Sequence, residues 1–508
     1  MRAWVFLSGP MGAGKSTLGR ALAERLSARF VDLDARIEAA EGRAVAAIFA
    51  EDGEDAFRAI EAASALALLD EEPGVVALGG GTVVDPKTRR TLLERGLLIT
   101  LEAEPHVLRE RIAEGSGRPL AGRLERLLAA RAAAYAECHA EVRTDAPFED
   151  ALAALVAATE ARAVVVPLGL RTYRVDFSAL ENLNAVVADI SPTSVIVVTD
   201  SNVHDPWGAP MARALNARRL VVLDAGEENK TVGAVERIWD AALDASVDRG
   251  ALLVAVGGGV VGDLTGFAAA TLMRGVRFVQ VPTTMLAMVD ASVGGKTGFD
   301  RPQGKNLAGA FHQPQHVLID VDTLTTLPDA ELRSGLAEVV KSAWLDSEDA
   351  VAALERDADA LIARDPEALR AAAHRSVVLK ARVVALDEME GGHRRVLNLG
   401  HTVGHAIEAA RGYRGIRHGE AVSLGMVAAF RMAARLGDER ALAHEARLCS
   451  LLERLGLPID LAAWWDEPTA KYIGSDKKRH GDQVGFIVPG APGEVEVVSL
   501  PLHHEFGP

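Results

Sequence analysis

The chain has 508 residues, a formal net charge of −16 at pH 7 and 49% hydrophobic residues. This composition is ordinary for a soluble globular protein, and the acidic balance argues against a nucleic acid or an anionic membrane as its partner. Since domains typically hold about 100–200 residues, the length predicts two or three of them. The two cysteines, Cys138 and Cys449, show no disulfide framework and therefore predict free thiols and a cytoplasmic location.

Short apolar runs alternate with helical patterns over the first 160 residues. Trp4–Ser8, Val75–Leu78 and Leu97–Leu101 have the pattern of strands, and Ser16–Ala28 has that of a helix. Alternation of this kind predicts a parallel sheet with helices on both faces. A new strand begins at Val164, and we therefore expect one domain over residues 1–162 and another over 163–508.

The second half changes character along its length. Ser194–Thr199, Arg219–Leu223 and Leu252–Val256 have the pattern of parallel strands with helices between them. After about Thr323 the strand patterns give way to long helical ones. We expect residues 163–322 to form a Rossmann-like α/β part and residues 323–508 a mainly helical part.

A glycine-rich loop precedes the first predicted helix. Gly9–Thr17 reads GPMGAGKST and fits the pattern G-x-x-x-x-G-K-[ST] between a strand and a helix. In such a loop backbone N–H groups bind phosphate oxygens, the lysine contacts the β- and γ-phosphates, and the first hydroxyl ligates Mg²⁺. The pattern predicts a nucleoside triphosphate site formed by Gly12, Ala13, Gly14, Lys15, Ser16 and Thr17.

Charged residues further along predict the second substrate of this site. We interpret Val31–Asp34 as the end of a strand that places Asp32 and Asp34 on one face, where they can bind Mg²⁺ and an acceptor hydroxyl. A helix N-cap is the alternative for these carboxylates. Arg58, on a predicted helix, is suited to bind a carboxylate through two nitrogens, and a solvated surface arginine is the alternative.

Three further features belong to the candidate site in the first 160 residues. Gly79–Gly81 follows a strand and lets a ligand approach the backbone closely. Arg118 lies in the polar stretch 115–123, which is suited to a lid. Arg131 and Tyr135 share one face of a predicted helix.

In this order the motifs over residues 1–160 resemble the shikimate kinase family. The resemblance implies that ATP binds at the glycine-rich loop with Mg²⁺ held by Ser16 and Asp32. It implies that the arginine of the lid neutralises charge on the transferred phosphoryl group. The implied catalytic residues are Lys15, Asp34 and Arg118, and the implied shikimate contacts are Asp34, Arg58, Gly80, Gly81 and Arg131.

Three polar or glycine-rich loops follow strands in the second half. They are Asp200–Val203, Gly226–Lys230 and Gly257–Asp263. Loops at the ends of parallel strands form dinucleotide sites in doubly wound folds. A glycine-rich packing turn is the alternative for the last of them, because it departs from the usual G-x-G-x-x-G pattern.

A histidine cluster predicts a metal site. His401 and His405 are spaced to share one face of a helix, His418 follows, and Glu338 lies upstream. Three imidazoles and a carboxylate suit Zn²⁺ with an open position. The spacing alone favours His401 and His405 as ligands.

Basic residues are dense around these motifs, although the protein as a whole is acidic. They indicate a phosphorylated and carboxylated substrate, with solvated lysines as the alternative. The residues are Arg274, Lys296, Lys305, Lys341, Lys380 and Arg394.

Across residues 165–490 these motifs resemble the 3-dehydroquinate synthase family. The resemblance implies one Zn²⁺ or Co²⁺ held by Glu338, His401 and His418, with His405 facing the substrate instead. The implied NAD⁺ contacts are Asp200, Asn202, Glu227, Lys230, Gly258, Gly259, Asp263, Thr283, Thr284 and Thr326. The implied contacts of the heptulosonate phosphate are Arg274, Asp290, Lys296, Lys305, Asn306, Lys341, Lys380, Arg394, Asn398, His405 and either Lys477 or Lys478.

The two resemblances together imply a bifunctional enzyme of aromatic amino acid biosynthesis. Its synthase half would release phosphate from the heptulosonate phosphate with Lys296, Lys341 and His405 as catalytic residues, and would form a homodimer. NAD⁺ would be reduced and reoxidised within one turnover. The alternatives are another small-molecule kinase fused to a different sugar-phosphate cyclase, and a nucleotide-dependent switch with an inactive tail.

Overall fold

The computed structural model describes residues 4–114, 124–160, 163–473, 479–480, 483–501 and 506–507. The chain divides into two compact units, Met1–Arg174 and Val175–Pro508. Among the described residues, none of the helices has the length and apolar character needed to cross a membrane. Both cysteines are free, as predicted, with Cys138 buried and Cys449 half-buried.

The first unit is built on a five-stranded sheet. Its strands are β1 (Trp4–Ser8), β2 (Phe30–Asp32), β3 (Val75–Ala77), β4 (Gly96–Glu102) and β5 (Ala140–Arg143). Its helices are α1 (Lys15–Arg25), α2 (Leu33–Glu41), α3 (Val45–Glu51), α4 (Glu54–Ala67), α5 (Pro86–Arg95), α6 (Pro105–Glu114), α7 (Leu124–Ala136) and α8 (Phe148–Ala158). The strand order is β2-β3-β1-β4-β5, and neighbouring strands are parallel.

The central strand β1 explains why this sheet is covered on both faces. All five of its side chains are buried. Trp4 and Phe6 pack into one apolar cluster, whereas Val5 and Leu7 pack into another. Because successive side chains of a strand point to opposite faces, both faces carry a core. The predicted parallel sheet with helices on both faces is confirmed.

The remaining strands begin at the junction between the units. They are β6 (Val164–Val166), β7 (Tyr173–Phe177), β8 (Val195–Asp200), β9 (Arg219–Leu223), β10 (Leu252–Gly257), β11 (Arg277–Pro282), β12 (Lys296–Arg301), β13 (Gly304–Phe311), β14 (His316–Ile319), β15 (Arg479–His480), β16 (Gln483–Pro489) and β17 (Val495–Pro501). The helices are α9 (Leu183–Ile190), α10 (Ala209–Ala214), α11 (Val232–Asp244), α12 (Gly259–Thr271), α13 (Asp329–Asp346), α14 (Glu348–Ile362), α15 (Pro366–Leu386), α16 (His401–Ala410), α17 (His418–Arg435), α18 (Ala441–Arg454) and α19 (Glu467–Ile473).

Short helical turns connect these elements in both units. Those of 3-10 type are Leu68–Asp70, Thr82–Val84, Gly169–Arg171, Leu180–Asn182, Glu227–Asn229, Leu272–Arg274, Val321–Thr326, His393–Asn398 and Ala462–Trp464, and those of π type are His204–Gly208 and Ala287–Ala291.

The main sheet of the second half has the order β6-β7-β14-β11-β10-β8-β9. The pairings of β9 with β8, β8 with β10, β10 with β11 and β11 with β14 are parallel. The loops after β8, β9 and β10 therefore leave adjacent strands at the same edge of the sheet. This arrangement is the Rossmann-like part that was predicted, and the helices from α13 to α19 form the mainly helical part.

Three features differ from the sequence prediction. Asp34 does not lie on a strand, because α2 begins at Leu33 and the Asp32 carboxylate accepts a hydrogen bond from the Ala35 N–H at 3.3 Å as its N-cap. The hairpin of β12 and β13 and the small sheet of β15, β16 and β17 were not predicted. The hairpin carries the segment between Lys296 and Asn306, so these polar residues lie on strands.

Candidate active sites

The glycine-rich loop of the first unit connects β1 to α1. Gly12 and Gly14 have φ of 82° and 86°, which favour glycine, and Gly14 is the N-cap of α1. The Lys15 ammonium folds back over the loop and donates to the carbonyl oxygens of Gly9 and Pro10 at 2.8 and 2.9 Å. The loop thus presents free helix N–H groups and a cation at one place, as phosphate binding requires.

A hydroxyl and a carboxylate meet beside this loop. Ser16 Oγ donates to Asp32 Oδ2 at 2.6 Å. Burial lowers the pKa of Lys15 from 10.5 to about 8, and the nearby charges of Asp34 and Asp32 act against that change. Oxygen ligands of this kind are those that Mg²⁺ prefers in proteins. Ser16 and Asp32 therefore fit a Mg²⁺ ion carried in with a nucleotide.

Arg58 and Asp34 lie against the glycine turn that follows β3. Arg58 donates to Glu61 Oε2 at 2.6 Å and to Glu54 Oε1 at 3.1 Å. A Cβ on Gly81 would overlap the Arg58 guanidinium, and a Cβ on Gly79 would lie 2.9 Å from Asp34 Oδ1. The absence of side chains on this turn is what leaves room for the two charged groups.

Helix α7 contributes a second arginine to the same turn. Arg131 Nη1 and the Tyr135 hydroxyl both donate to the carbonyl oxygen of Gly80, at 2.9 and 2.6 Å. A Cβ on Gly80 would lie 3.7 Å from the Gly9 carbonyl oxygen, which belongs to the glycine-rich loop. The structure therefore brings the predicted phosphate and acceptor residues together.

The sequence analysis assigned no chemical role to two residues of this site. Glu61 is buried and accepts hydrogen bonds from both Arg58 and Thr82. Tyr135 was identified by its helix face alone. The hydrogen-bond partners of both residues are known only from the structure. The predicted lid residue Arg118 lies outside the described residues.

The carboxyl edge of the second sheet carries the residues predicted for NAD⁺. Asp200 ends β8 and accepts hydrogen bonds from the N–H groups of Asn202 and Val203 at 2.8 and 3.1 Å. Burial raises the pKa of Asp200. Glu227 follows β9, and Gly258 is the N-cap of α12 with Gly259 as its first residue.

The side chain of Lys230 connects α12 to the hairpin of β12 and β13. Its ammonium donates to Asp263 Oδ2 at 2.5 Å and to Asn306 Oδ1 at 2.7 Å. Thr284 caps the turn that follows β11 by accepting from the Ala287 N–H at 3.1 Å. The buried hydroxyl of Thr283 has no hydrogen-bond partner among the described residues. Helix α12 has glycine at its N-cap and at its first position, and the Thr283 hydroxyl has no partner among the described residues. Both features fit the binding of a dinucleotide.

Thr326 is held by a residue that the sequence analysis did not identify. Its Oγ1 accepts a hydrogen bond from Trp207 Nε1 at 2.8 Å. Trp207 lies in the π turn after β8, so the contact links that loop to the segment that precedes α13. Only the three-dimensional fold reveals this partner.

Glu338, His401 and His418 form one cluster. His401 Nε2 and His418 Nε2 each lie 3.7 Å from Glu338 Oε1. The two imidazole centroids are 5.3 Å apart. Neither carboxylate oxygen of Glu338 accepts a hydrogen bond from the described residues. The Lys341 ammonium forms an ion pair with Oε2.

These three residues fit a divalent metal ion. Glu338 is almost fully buried, and although Lys341 pairs with its Oε2, a buried Oε1 that faces two imidazoles is costly unless a cation satisfies it as well. Burial would raise the pKa of Glu338, but the charge of Lys341 holds it below its ordinary value, so the carboxylate is ionised. Nitrogen and oxygen atoms at these positions are suited to Zn²⁺. His405 is exposed on α16, the helix that also carries His401, and the centroids of their two rings are 5.2 Å apart.

Four of the predicted substrate cations are each paired with a carboxylate, namely Lys296, Lys305, Lys341 and Lys380. Lys380 donates to Asp290 Oδ1 and Lys296 to Glu390 Oε2, both at 2.5 Å. Asn398 donates to Glu390 Oε1 at 3.3 Å. The pairs hold the ammonium groups in place without filling their hydrogen-bonding capacity.

Four other residues predicted to contact the substrate differ in their surroundings. Arg394 is buried and donates to the carbonyl oxygens of Gly294 and Glu388 at 3.1 and 2.7 Å. Arg274 is exposed, and the described part of the chain offers its side chain no hydrogen bond or ion pair. Lys477 and Lys478 lie outside the described residues.

Glu390 and Glu408 were missed by the sequence analysis. Glu390 pairs with Lys296, and Glu408 lies on α16 beside the histidines. The helical spacing of His401, His405 and Glu408 was a signal that could have identified Glu408. Glu390 gave no comparable signal, because its partner Lys296 is distant in the sequence.

Family models match three segments of the chain. Residues 11–158 match the model described as shikimate kinase. Residues 220–334 match that of the 3-dehydroquinate synthase N-terminal part, and residues 335–479 match that of its C-terminal part.

The chain is also similar to individual proteins over its second half. It is 46% identical over 336 residues to a 3-dehydroquinate synthase of Acidithiobacillus ferrooxidans, covering 64% of this chain and 91% of that protein. It is 27% identical to 2-deoxy-scyllo-inosose synthase, solved with carbaglucose-6-phosphate, NAD⁺ and Co²⁺, with a TM-score of 0.59 over 65% of this chain and 94% of that one. It is 28% identical to 2-epi-5-epi-valiolone synthase from Streptomyces hygroscopicus subsp. jinggangensis 5008, solved with NAD⁺ and Zn²⁺, with a TM-score of 0.58 over 64% and 92%.

Proposed function

Because this chain belongs to the 3-dehydroquinate synthase family and carries a shikimate kinase domain ahead of it, we propose a role for each of its two sites. The chain is a bifunctional enzyme of the shikimate pathway with kinase and lyase activities. The first unit phosphorylates shikimate with ATP. The second converts 3-deoxy-D-arabino-heptulosonate 7-phosphate to 3-dehydroquinate and releases phosphate. We assign these reactions to residues 1–162 and 163–508.

In the kinase site the charged residues divide between the two substrates. The loop N–H groups and Lys15 bind the ATP phosphates, and Ser16 and Asp32 hold Mg²⁺. Asp34 orients the acceptor hydroxyl of shikimate. Arg58 and Arg131 bind the shikimate carboxylate on either side of the glycine turn. The convergence of both arginines on Gly80 and Gly81 supports this division.

In the synthase site Glu338, His401 and His418 hold one Zn²⁺ or Co²⁺, and NAD⁺ lies along the carboxyl edge of the sheet. When bound, NAD⁺ would supply reversible hydride transfer and the metal ion would supply polarisation of a hydroxyl oxygen. Lys230 and Asp263 anchor the loops that face the dinucleotide. The phosphate and carboxylate of the substrate are bound by Arg394, Asn398 and the lysines Lys296, Lys305, Lys341 and Lys380. The exposed His405 moves protons at the ring of the substrate.

The observation that carries the synthase proposal is the buried Glu338 carboxylate with two imidazole nitrogens facing it. The purified full-length chain should contain one divalent metal ion. A chelator should abolish phosphate release from the heptulosonate phosphate but leave shikimate phosphorylation intact once Mg²⁺ is restored. Zn²⁺ or Co²⁺ should then recover the synthase activity. Synthase activity that survives complete removal of the metal would refute the assignment.

We also propose that the enzyme is a cytoplasmic homodimer associated through its synthase half. The free thiols of Cys138 and Cys449 suit a reducing compartment. A surface groove lined by Trp239, Leu243 and Met273 offers apolar area for a second copy. Light scattering should give about twice the mass of one chain, and Leu243→Glu should reduce that value to the mass of one chain. A wild-type monomer would contradict the proposal.

A further inference from the structure

The carboxylate of Glu408 has no part in the proposed function, yet residues of the synthase site hold both its oxygens. Oε2 lies 3.3 Å from His418 Nδ1, and Oε1 accepts a hydrogen bond from Lys305 Nζ at 3.2 Å. The Glu408 side chain is only 4% exposed. Burying a carboxylate is costly unless its oxygens are paired, and here two partners from separate segments pair with them.

His418 presents its two ring nitrogens to two different carboxylates. Nδ1 faces Glu408, whereas Nε2 lies 3.7 Å from Glu338 Oε1. An imidazole that donates through Nδ1–H keeps its lone pair on Nε2, which is the atom that a metal ion requires. Glu408 is therefore placed to select the tautomer of His418 and to fix the rotation of its ring.

Lys305 extends the same network toward the substrate. Its ammonium lies 3.6 Å from Glu227 Oε1 and 4.7 Å from the centroid of the Tyr413 ring. Glu408 is the nearest carboxylate to this ammonium among these contacts, and it is also the most buried of them. It thereby restricts a long side chain that would otherwise sample many rotamers.

We propose that Glu408 is a positioning residue that orients His418 toward the metal ion and holds Lys305 in the substrate pocket. The inference rests on the proposed function of the synthase site. It connects the metal ligands to a substrate cation through one buried carboxylate. The set His405, Glu408 and His418 could instead hold an ion directly, since its ligand atoms all lie within 4.8 Å of one another. The experiment separates that arrangement from the positioning role.

The test measures metal affinity in the full-length chain without substrate. Glu408→Ala, Glu408→Gln and wild type are titrated with Zn²⁺ in competition with a chromogenic chelator. Removing a carboxylate that orients a metal-binding histidine typically lowers metal affinity by about 10–100-fold, and we expect this for Glu408→Ala. Glu408→Gln keeps an oxygen that can accept from Nδ1–H, so its loss should be smaller. It cannot pair with Lys305 as an anion, so its KM for the heptulosonate phosphate at saturating Zn²⁺ should rise.

Glu390→Gln is the matched control. It also removes a carboxylate that pairs with an active-site lysine, but the structure records no contact between Glu390 and the metal-binding histidines among the described residues. Its Zn²⁺ affinity should equal that of wild type. Thermal unfolding of each variant identifies any that fail to fold, and Glu408→Gln carries the test if Glu408→Ala is one of them.

Wild-type Zn²⁺ affinity in a folded Glu408→Ala would overturn the positioning role, as would an equal loss in Glu390→Gln. Two Zn²⁺ ions per wild-type chain would overturn it as well, because Glu408 would then be a ligand. These results differ from a failure of the proposed function, in which the wild-type chain itself would bind no metal ion or lack synthase activity.

Discussion

At the scale of single residues, burial sets the charge of Lys380. Burial lowers its pKa from 10.5 to about 8, although the negative charge of Asp290 opposes the change. The charges of Arg394 and Lys341 lower the pKa further. About half of the Lys380 ammonium groups have therefore lost their proton at pH 8 in the free enzyme. A neutral amine does not attract the phosphate or carboxylate of a substrate.

This pKa predicts how substrate binding varies with pH. We expect the KM for the heptulosonate phosphate to rise about twofold between pH 7 and 8 and more steeply above pH 8, by about tenfold per pH unit at most. Steady-state kinetics at pH 7 to 9.5 measure it. Lys380→Met lacks the titrating amine, so its KM should be higher throughout and should no longer rise above pH 8. A wild-type KM that stays constant to pH 9.5 would refute the role of Lys380.

In the kinase site we expect Arg58→Ala to weaken shikimate binding selectively. Losing a hydrogen bond to a charged group costs roughly 1.5–3 kcal/mol, so the KM for shikimate should rise about 10- to 150-fold. The KM for ATP should stay near the wild-type value, because Arg58 contacts Glu54 and Glu61 and not the glycine-rich loop.

The matched control is Arg43→Ala. Arg43 also pairs with carboxylates of the first unit, those of Glu41, Glu51 and Asp52. Its removal should change neither KM. Comparable weakening of ATP and shikimate in Arg58→Ala would contradict the division of the kinase site.

The sequence predicts a site residue when its partners lie close to it in the sequence, and fails to do so when they are distant. The glycine-rich loop was predicted in full because its chemistry lies within nine consecutive residues, Gly9–Thr17. The pair of Lys296 and Glu390 spans 94 positions, and no local pattern indicates it. Asp34 was wrongly placed on the strand, because β2 ends at Asp32 and Asp32 is the N-cap of α2. Aspartate is among the preferred N-cap residues, so the helical pattern that follows was the signal.

At the scale of elements, glycines let α16 and α17 approach closely enough to form the metal cluster. A Cβ on Gly425 would overlap the Gly400 carbonyl oxygen, and one on Gly404 would lie 3.0 Å from the Ala421 carbonyl oxygen. His401 begins α16 and His418 begins α17. The separation of the two helices therefore fixes the separation of the two imidazoles.

Gly425→Ala should push these helices apart. Overpacking a buried contact typically costs about 1–3 kcal/mol, so the free energy of unfolding should fall and Zn²⁺ affinity should fall with it. Denaturant titration and metal competition measure the two effects. Gly233→Ala on α11 is the control, since its Cβ would meet only Thr231 Oγ1 at 3.7 Å. Gly425→Ala with the stability and Zn²⁺ affinity of that control would contradict this account.

The elements themselves were predicted unevenly. Strands β1, β3, β4, β8, β9 and β10 were predicted because buried parallel strands appear as continuous apolar runs. The hairpin of β12 and β13 was missed because its strands carry glycines and charged residues, such as Lys296 and Lys305, that depart from that pattern. Those departures are the residues that the proposed substrate site uses.

At the scale of the whole molecule, residues 163–174 belong to the first unit and are hydrogen-bonded to other residues of it. Glu137 Oε1 accepts a hydrogen bond from the Gly169 N–H at 2.9 Å. Arg174 donates to the Cys138 carbonyl oxygen at 3.1 Å and to Glu141 Oε1 at 3.0 Å. These contacts lie beyond the boundary at residue 162 that the sequence predicted, and that boundary stays a prediction.

We expect a kinase fragment of residues 1–174 to be more stable than one of residues 1–162. The longer fragment keeps the hydrogen bonds of Gly169 and Arg174, which together contribute about 1–3 kcal/mol. Denaturant unfolding of both fragments measures the difference. Arg174→Ala in the longer fragment should remove part of the gain. Equal stability of the two fragments would place the kinase boundary at residue 162.

The central claim is that one chain performs two reactions at two separate sites. The most direct measurement is an assay of shikimate phosphorylation and of phosphate release from the heptulosonate phosphate, on wild type, Lys15→Ala and His418→Ala of the full-length chain. Wild type should perform both reactions, Lys15→Ala only the release of phosphate, and His418→Ala only the phosphorylation. A wild-type chain that lacks either activity, or a single substitution that abolishes both in a folded protein, would contradict the account.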